Sequence, residues 1–424
     1  MTPGDLRRRL AALRDAGAAL RARPARETLA ALERALESWR DPASSWRREL
    51  EAQLPDAAGY SAATVREGLA RGLQSWTGAA LRELVQRELG GVERLDAAGP
   101  APVSGFETTA VLLAGSIPMP SILALLAPLV LRSPVLAKPA LRDPVTAPLL
   151  ARSLAAVDPG LGRCIDVVDF RRDDTECLQA LLQAECVVAS GSDEAVESVA
   201  ARVRPTQRFV AYGHRFSVAL LGEQTQCGQS LERAARGLAL DVALWDQLGC
   251  LSPIAVYVVG SDAAAPDRVA HALAGALEDA ESRWPRGAVD RHAATLLAHE
   301  RAAAELRQAA GQSVGVHAGT AGEWTVVREA DCQPRPAPLH HFVRVLPVAD
   351  VRALLAALAP LGPHLSAVAL DGFGREAPAL RRALASLGAS RLCACGAMQC
   401  PPLGWHRDGR GVLTPLARFT DSEL

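Results

Sequence analysis

The sequence predicts an α/β protein in three parts: a helical N-terminal region, a doubly wound parallel-sheet unit and a second α/β unit. Three observations predict it. Leucines recur at helical spacing through the first 90 residues, with Leu6, Leu10, Leu13 and Leu20 and then Leu29, Leu32 and Leu36 in series. Beyond Gly90-Gly91, short apolar runs alternate with helical patterns, as parallel sheets require. The chain has 424 residues, enough to bury two or three cores. The expected boundaries are 1–95 for the helical region, 96–222 (with part of the tail) for the first sheet unit, 223–395 for the second and 396–424 for the tail.

The elements follow in order. Asp41-Pro42 and Pro55 interrupt the helical region, and Ser61 caps a helix carrying Val65, Leu69 and Leu73. Residues 108–114 predict a buried strand and 121–131 a helix. Val135-Leu136-Ala137 predicts a short strand running into Lys138-Pro139. A helix is expected over 145–157, a strand over 165–168, a helix over 177–184, and a strand over 186–189 that ends in Ser190-Gly191-Ser192. A helix over 194–202 and a strand over 208–212 complete the first sheet. Ligands of such sheets sit at the carboxyl ends of the strands, where Lys138 and Ser190-Gly191-Ser192 fall. No G-x-G-x-x-G follows the first strand. After Gly222 come a helix over 231–243, the loop Trp245-Asp246-Gln247-Leu248-Gly249-Cys250, and a strong strand over 254–259. Helices over 266–277, 293–309 and 351–358 and strands over 342–346 and 366–370 follow. Residues 412–420 read as extended.

Composition excludes several classes. A net charge of −1 leaves no footprint for nucleic acid or anionic membrane. The apolar run 111–131 holds Pro118, Pro120 and Pro128, so it is not expected to span a membrane. The N-terminus lacks the pattern of a signal peptide, and a cytoplasmic location with reduced cysteines is expected. Cys393, Cys395 and Cys400 are spaced C-x-C-x4-C, a poor zinc knuckle, and no metal is expected. One of the 46 basic residues is lysine, at 138, and asparagine is absent. Where arginine serves everywhere else, a lone lysine marks a site that needs a compact ammonium, or survived by chance. Cys250, in a short loop before a buried strand, is either a nucleophile or an ordinary apolar cysteine.

The ordered motifs resemble the aldehyde dehydrogenase superfamily, and within it the acyl-CoA reductase branch that supplies long-chain aldehyde in bacterial luminescence. Gly115-Ser116-Ile117-Pro118 resembles the G-N-x-P turn of that superfamily, and Ala137-Lys138-Pro139 the lysine-proline of its cofactor strand. Ser190-Gly191-Ser192 resembles its T-G-S loop, Gln247-Leu248-Gly249-Cys250 its nucleophile loop and Val345-Leu346-Pro347-Val348 its P-V-L-P-V strand. The tail Trp405-His406-Arg407-Asp408-Gly409 resembles the W-H-x-D-G segment of the branch. The resemblance covers residues 105–424. It implies an aldehyde-dehydrogenase-like fold with a dinucleotide-binding domain and a catalytic domain. It also implies reduction of a fatty acyl-CoA to aldehyde through an S-acyl-Cys250, with NADPH as cofactor.

By the same resemblance, Lys138 binds the adenosine ribose or its 2′-phosphate, and Ser190, Gly191 and Ser192 lie along the pyrophosphate. Ser116 stands where the family has the oxyanion asparagine. Ala211 stands where hydrolytic members carry a glutamate base, which favours reduction of thioesters over oxidation of aldehydes. His340 is a substitute ribose contact or a rim residue. His406 is a general acid with Asp408, or the pair forms only a structural turn. An acyl-activating synthetase or acyl-protein partner and a homo-oligomer are expected. Two alternatives stand: a cysteine acyltransferase or thioesterase that uses no nicotinamide, and a non-catalytic acyl-binding homologue.

Overall fold

The computed structural model describes residues 1–96, 102–421 and 423. The N-terminal leucine series folds into five helices, Pro3–Arg21, Ala25–Arg40, Ser45–Ala58, Ala62–Gly72 and Gly78–Leu89. Their caps follow from the sequence: Thr2 with Asp5 forms a capping box, and Ser61 and Thr77 each accept a backbone N–H three residues on. The boundary expected at residue 95 adjoins residues 97–101, which lie outside those described.

Fourteen strands follow among the described residues. β1 (Val103–Ser104) pairs with the tail. β2 (Thr109–Leu112), β3 (Val135–Lys138), β4 (Ile165–Val167), β5 (Cys186–Ser190) and β6 (Arg208–Tyr212) form a parallel sheet in the order β4-β3-β2-β5-β6. The order reverses beside β2, so the crevice between the ends of β2 and β5 is a topological switch point. β7 (Phe216–Leu221), β8 (Pro253–Val259), β9 (Gly315–Ala318), β10 (Thr325–Arg328), β11 (Phe342–Val348), β12 (Leu365–Asp371) and β13 (Arg391–Cys393) form the second sheet. Its order is β13-β12-β7-β8-β11-β10-β9, parallel except for β9. β14 (Arg418–Phe419) closes the chain antiparallel to β1.

The chain passes from one sheet to the other between Tyr212 and Phe216, so the strand just before Gly222 pairs in the second sheet. The tail expected as extended over 412–420 is instead a 3-10 turn at Thr414–Leu416 followed by two strand residues. Leu403, Val412 and Leu413 from that tail share one core with the N-terminal helices and the five-stranded sheet. Among the described residues no helix is long and apolar enough to cross a membrane.

Candidate active site

Cys250 follows the 3-10 turn Leu244–Gln247 and precedes β8. Trp245, Asp246 and Gln247 all have positive φ, at 59°, 51° and 61°, and a second left-handed run, Leu339, His340 and His341, lies at 64°, 53° and 66°. Each such residue costs about 1–2 kcal/mol, so the surroundings must impose the conformation. The Gln247 amide does much of this. Its Nε2 donates to the carbonyls of Pro253 at 2.9 Å and Phe342 at 3.0 Å, and its Oε1 accepts from Phe342 N at 2.9 Å. Ser217 Oγ accepts from Ala367 N at 3.0 Å and donates to the Cys250 carbonyl at 2.6 Å. The Gln247–Cys250 loop is thus pinned to β7, β11 and β12.

The thiol is half-buried and lines an apolar cavity of about 130 Å³. Met119, Leu123 and Ala127 on helix Pro118–Val130 form one wall, and Leu251, Leu403 and Trp76 face them. Trp76 comes from the helical region, whose role the sequence leaves open. A Cβ on Gly249 would lie 2.7 Å from Ile117 Cδ1, so the Ile117 side chain packs into the space that glycine leaves beside Cys250. Ser116 is 3% exposed, and its Oγ is 2.5 Å from Tyr60 Oη.

Burial pushes the Cys250 thiol above its ordinary range; the Arg407 guanidinium pulls it down, and Asp408 opposes Arg407. Of the tail motif, therefore, Arg407 and Asp408 act on the thiol. His406 is exposed, with no side-chain hydrogen bond among the described residues, so the structure gives no support to its reading as a general acid. The turn reading holds for its neighbour, since Asp408 has φ 53°. The Asp408 carboxylate is 3.4 Å from Arg215 Nε and 3.7 Å from Arg410 Nη2. Arg407 and Arg410 cover the Tyr212 ring at 4.3 Å and 5.1 Å, and Arg410 donates to the Ala211 carbonyl. The N-terminal helices hold this tail in place: Glu88 accepts the N–H groups of Val412, Leu413 and Thr414, and Trp76 donates to the Pro401 carbonyl.

The cofactor candidates lie at the other end of the crevice. Lys138 ends β3, with Nζ 3.8 Å from Asp169 and 5.1 Å from the Phe170 ring centroid. Ser190 ends β5, and Ser192 Oγ caps helix Asp193–Ala200. Gly115, at φ 85°, has nothing within 4 Å of the position a Cβ would take, which leaves its backbone open to a ligand at the switch point. His340 is buried, its Nδ1 is unpartnered, and burial lowers its pKa to about 4, so the ring is neutral. The neutral imidazole feels the charges of Arg286, Arg142 and Asp290. No group of three or more metal-ligating side chains occurs among the described residues.

Sequence reasoning missed Tyr60, Ser217 and Arg407. Tyr60 lies 190 residues from the thiol and Ser217 on an unexpected strand; Arg407 stood inside a quoted motif whose histidine drew the attention.

Several known proteins are similar to this chain. A long-chain acyl-protein thioester reductase of Aliivibrio fischeri is 24% identical over 407 residues, which cover 91% of this chain and 80% of the relative. One from Photorhabdus laumondii is 26% identical over 240 residues, which cover 53% of this chain and about half, 48%, of the relative's length. An NAD-dependent aldehyde dehydrogenase from Sinorhizobium meliloti superposes with a TM-score of 0.74 at 15% identity, over 99% of this chain and 86% of that one, so the fold is aldehyde-dehydrogenase-like. The acyl-CoA reductase (LuxC) family matches residues 20–419, and this chain belongs to that family.

Proposed function

We propose that this protein reduces a fatty acyl thioester to the aldehyde, with Cys250 as the covalent acyl carrier and NADPH as the electron source. The observation that carries the reading is the Cys250 thiol, held on an over-determined loop at the wall of an apolar cavity. The apolar wall receives the hydrocarbon chain, and burial there removes chain surface from water at about 25 cal/mol per Å². The Cys250 thiolate adds to the thioester carbonyl. The new C–S bond forms as the old one breaks, and the departing thiolate, CoA in our reading, takes up a proton. Ala211 offers no carboxylate to activate water, so the acyl-cysteine is spared hydrolysis.

The residues at the switch point fit a dinucleotide: Lys138 would meet the adenosine ribose or its 2′-phosphate, Gly115 and Ser190-Gly191-Ser192 the remaining phosphates, and His340 the second ribose. When bound, that group supplies the hydride that converts the acyl group to aldehyde. The relatives are named for acyl-protein substrates, so an acylated partner protein is the second donor to test.

The test is NADPH oxidation with direct aldehyde detection across acyl-CoA chain lengths and an acyl-protein donor. Cys250→Ala is expected to abolish both signals, and unchanged turnover would overturn the reading. Thioester cleavage without NADPH oxidation would favour an acyltransferase or thioesterase. Lys138→Ala is expected to raise the KM for NADPH about tenfold, while that for the acyl donor stays within twofold; equal effects would remove Lys138 from the cofactor site.

A further inference from the structure

We infer that Tyr60, from the helical N-terminal region, is a positioning residue that turns the Ser116 hydroxyl into a directed hydrogen-bond donor at the acyl site. This rests on the acyl-transfer chemistry just proposed for Cys250. Tyr60 is 5% exposed, and its hydroxyl lies 2.5 Å from Ser116 Oγ, its one hydrogen-bond partner among the described residues. Two hydroxyls in contact bring two protons, and one of them lies between the oxygens. A phenol is the stronger donor, and burial holds Tyr60 protonated by pushing its pKa far above the ordinary value. The phenol proton has Ser116 Oγ as its acceptor. The Ser116 proton is then left without an acceptor among the described residues.

A buried donor without a partner is destabilising, so its retention calls for a ligand. The ligand's place follows from the packing. Ile117, the next residue, lines the apolar cavity together with Gly249 and Cys250, and a Cβ on Gly249 would come within 2.7 Å of Ile117 Cδ1. A carbonyl under attack by the thiol therefore lies beside the Ser116-Ile117 turn, and its oxygen is the acceptor that the Ser116 proton lacks. Alone, a serine hydroxyl rotates among three staggered positions. With Tyr60 donating to its oxygen, one direction is selected.

Tyr60 itself is fixed from two further sides. Its ring meets Trp245 edge-on at 5.4 Å and 73°, and the Gly59 carbonyl accepts from Ala288 N at 2.7 Å. Trp245 belongs to the strained run that carries Cys250, so one side chain spans both halves of the acyl site.

The experiment is a double-mutant cycle on the full chain, with Tyr60→Phe, Ser116→Ala and the double variant. The readouts are the rate of CoA release on acylation of Cys250, kcat and KM for NADPH oxidation, and Tm. Tyr60→Phe keeps the ring against Trp245 and is expected to lower the acylation rate about tenfold with KM within twofold. Ser116→Ala is expected to lower it about 10²-fold, and the double variant to be no slower than Ser116→Ala. Ser116→Asn, whose amide is planar and needs no orienting partner, is expected to restore the rate in the Tyr60→Phe background. Independent losses that multiply in the double variant, or a Tyr60→Phe variant that loses Tm but not rate, would overturn the inference. Acylation that responds to Tyr60 while NADPH is not consumed would sink the reductase reading and leave Tyr60 in its role.

Discussion

At the scale of the residue, Cys250 sits between opposing influences. The low-dielectric wall disfavours the thiolate, and the Arg407 guanidinium favours it. Arg407 is itself held by the Tyr212 face at 4.3 Å, so its charge is fixed in direction rather than waving in solvent. Removing the guanidinium while keeping bulk takes away the largest influence that lowers the thiol's pKa. Arg407→Met is therefore expected to raise the thiol pKa and slow alkylation of Cys250 by iodoacetamide severalfold at pH 7. The rate–pH profile checks it: the inflection moves to higher pH if the argument holds and stays put if it fails.

At the scale of the element, helix Pro118–Val130 is apolar on nearly all sides and buries most of its residues. Its buried residues join the core with the five-stranded sheet, while Met119, Leu123 and Ala127 also line the cavity. Position 123 is half-buried at the edge of that core and lines the cavity, so a larger side chain there takes up cavity space. Leu123→Trp is expected to lower kcat/KM for long acyl thioesters by about tenfold or more relative to short ones, at about 1–3 kcal/mol for the few methylenes displaced. A uniform loss across chain lengths would mean that this cavity does not hold the acyl chain.

At the scale of the whole molecule, the tail is stapled to the helix Gly228–Ala243 through Asp241. Its side chain is fully buried, accepts from Gly396 N at 2.6 Å and Met398 N at 2.9 Å, and is pushed by burial to about 7 from an ordinary 3.8. An acid whose folded-state pKa is raised binds its proton more tightly when folded. Its contribution is therefore present below pH 4 and is lost as pH rises to about 7, by up to about 4 kcal/mol. Asp246, raised to about 6, acts in the same direction. His340, lowered to about 4 from 6.5, acts in the opposite one, adding stability as pH rises through that interval. The difference between wild type and Asp241→Asn isolates the first term. Urea unfolding at pH 5 and pH 8 is expected to show a smaller loss of stability toward pH 8 in the variant, and an identical loss would refute the assignment.

Much of this architecture was legible in the residues. Period-3.6 leucines fixed the helical region, and strand–helix alternation fixed a doubly wound sheet, because burial on one face writes itself into spacing. The motif order located Cys250, Lys138 and the Ser190-Gly191-Ser192 loop, since a loop that must hold one geometry tolerates few residues. The second sheet's strands β9, β10 and β13 were not legible: they are short, and their pairing rather than their composition defines them. Nor was the seating of β7, which precedes Gly222 yet pairs with β8 and β12. What only tertiary structure decided is who meets the thiol. Tyr60 reaches Ser116, and Trp76 and Arg407 line the cavity that holds Cys250, because contacts between residues tens to hundreds of positions apart depend on how layers stack, and no local spacing records that.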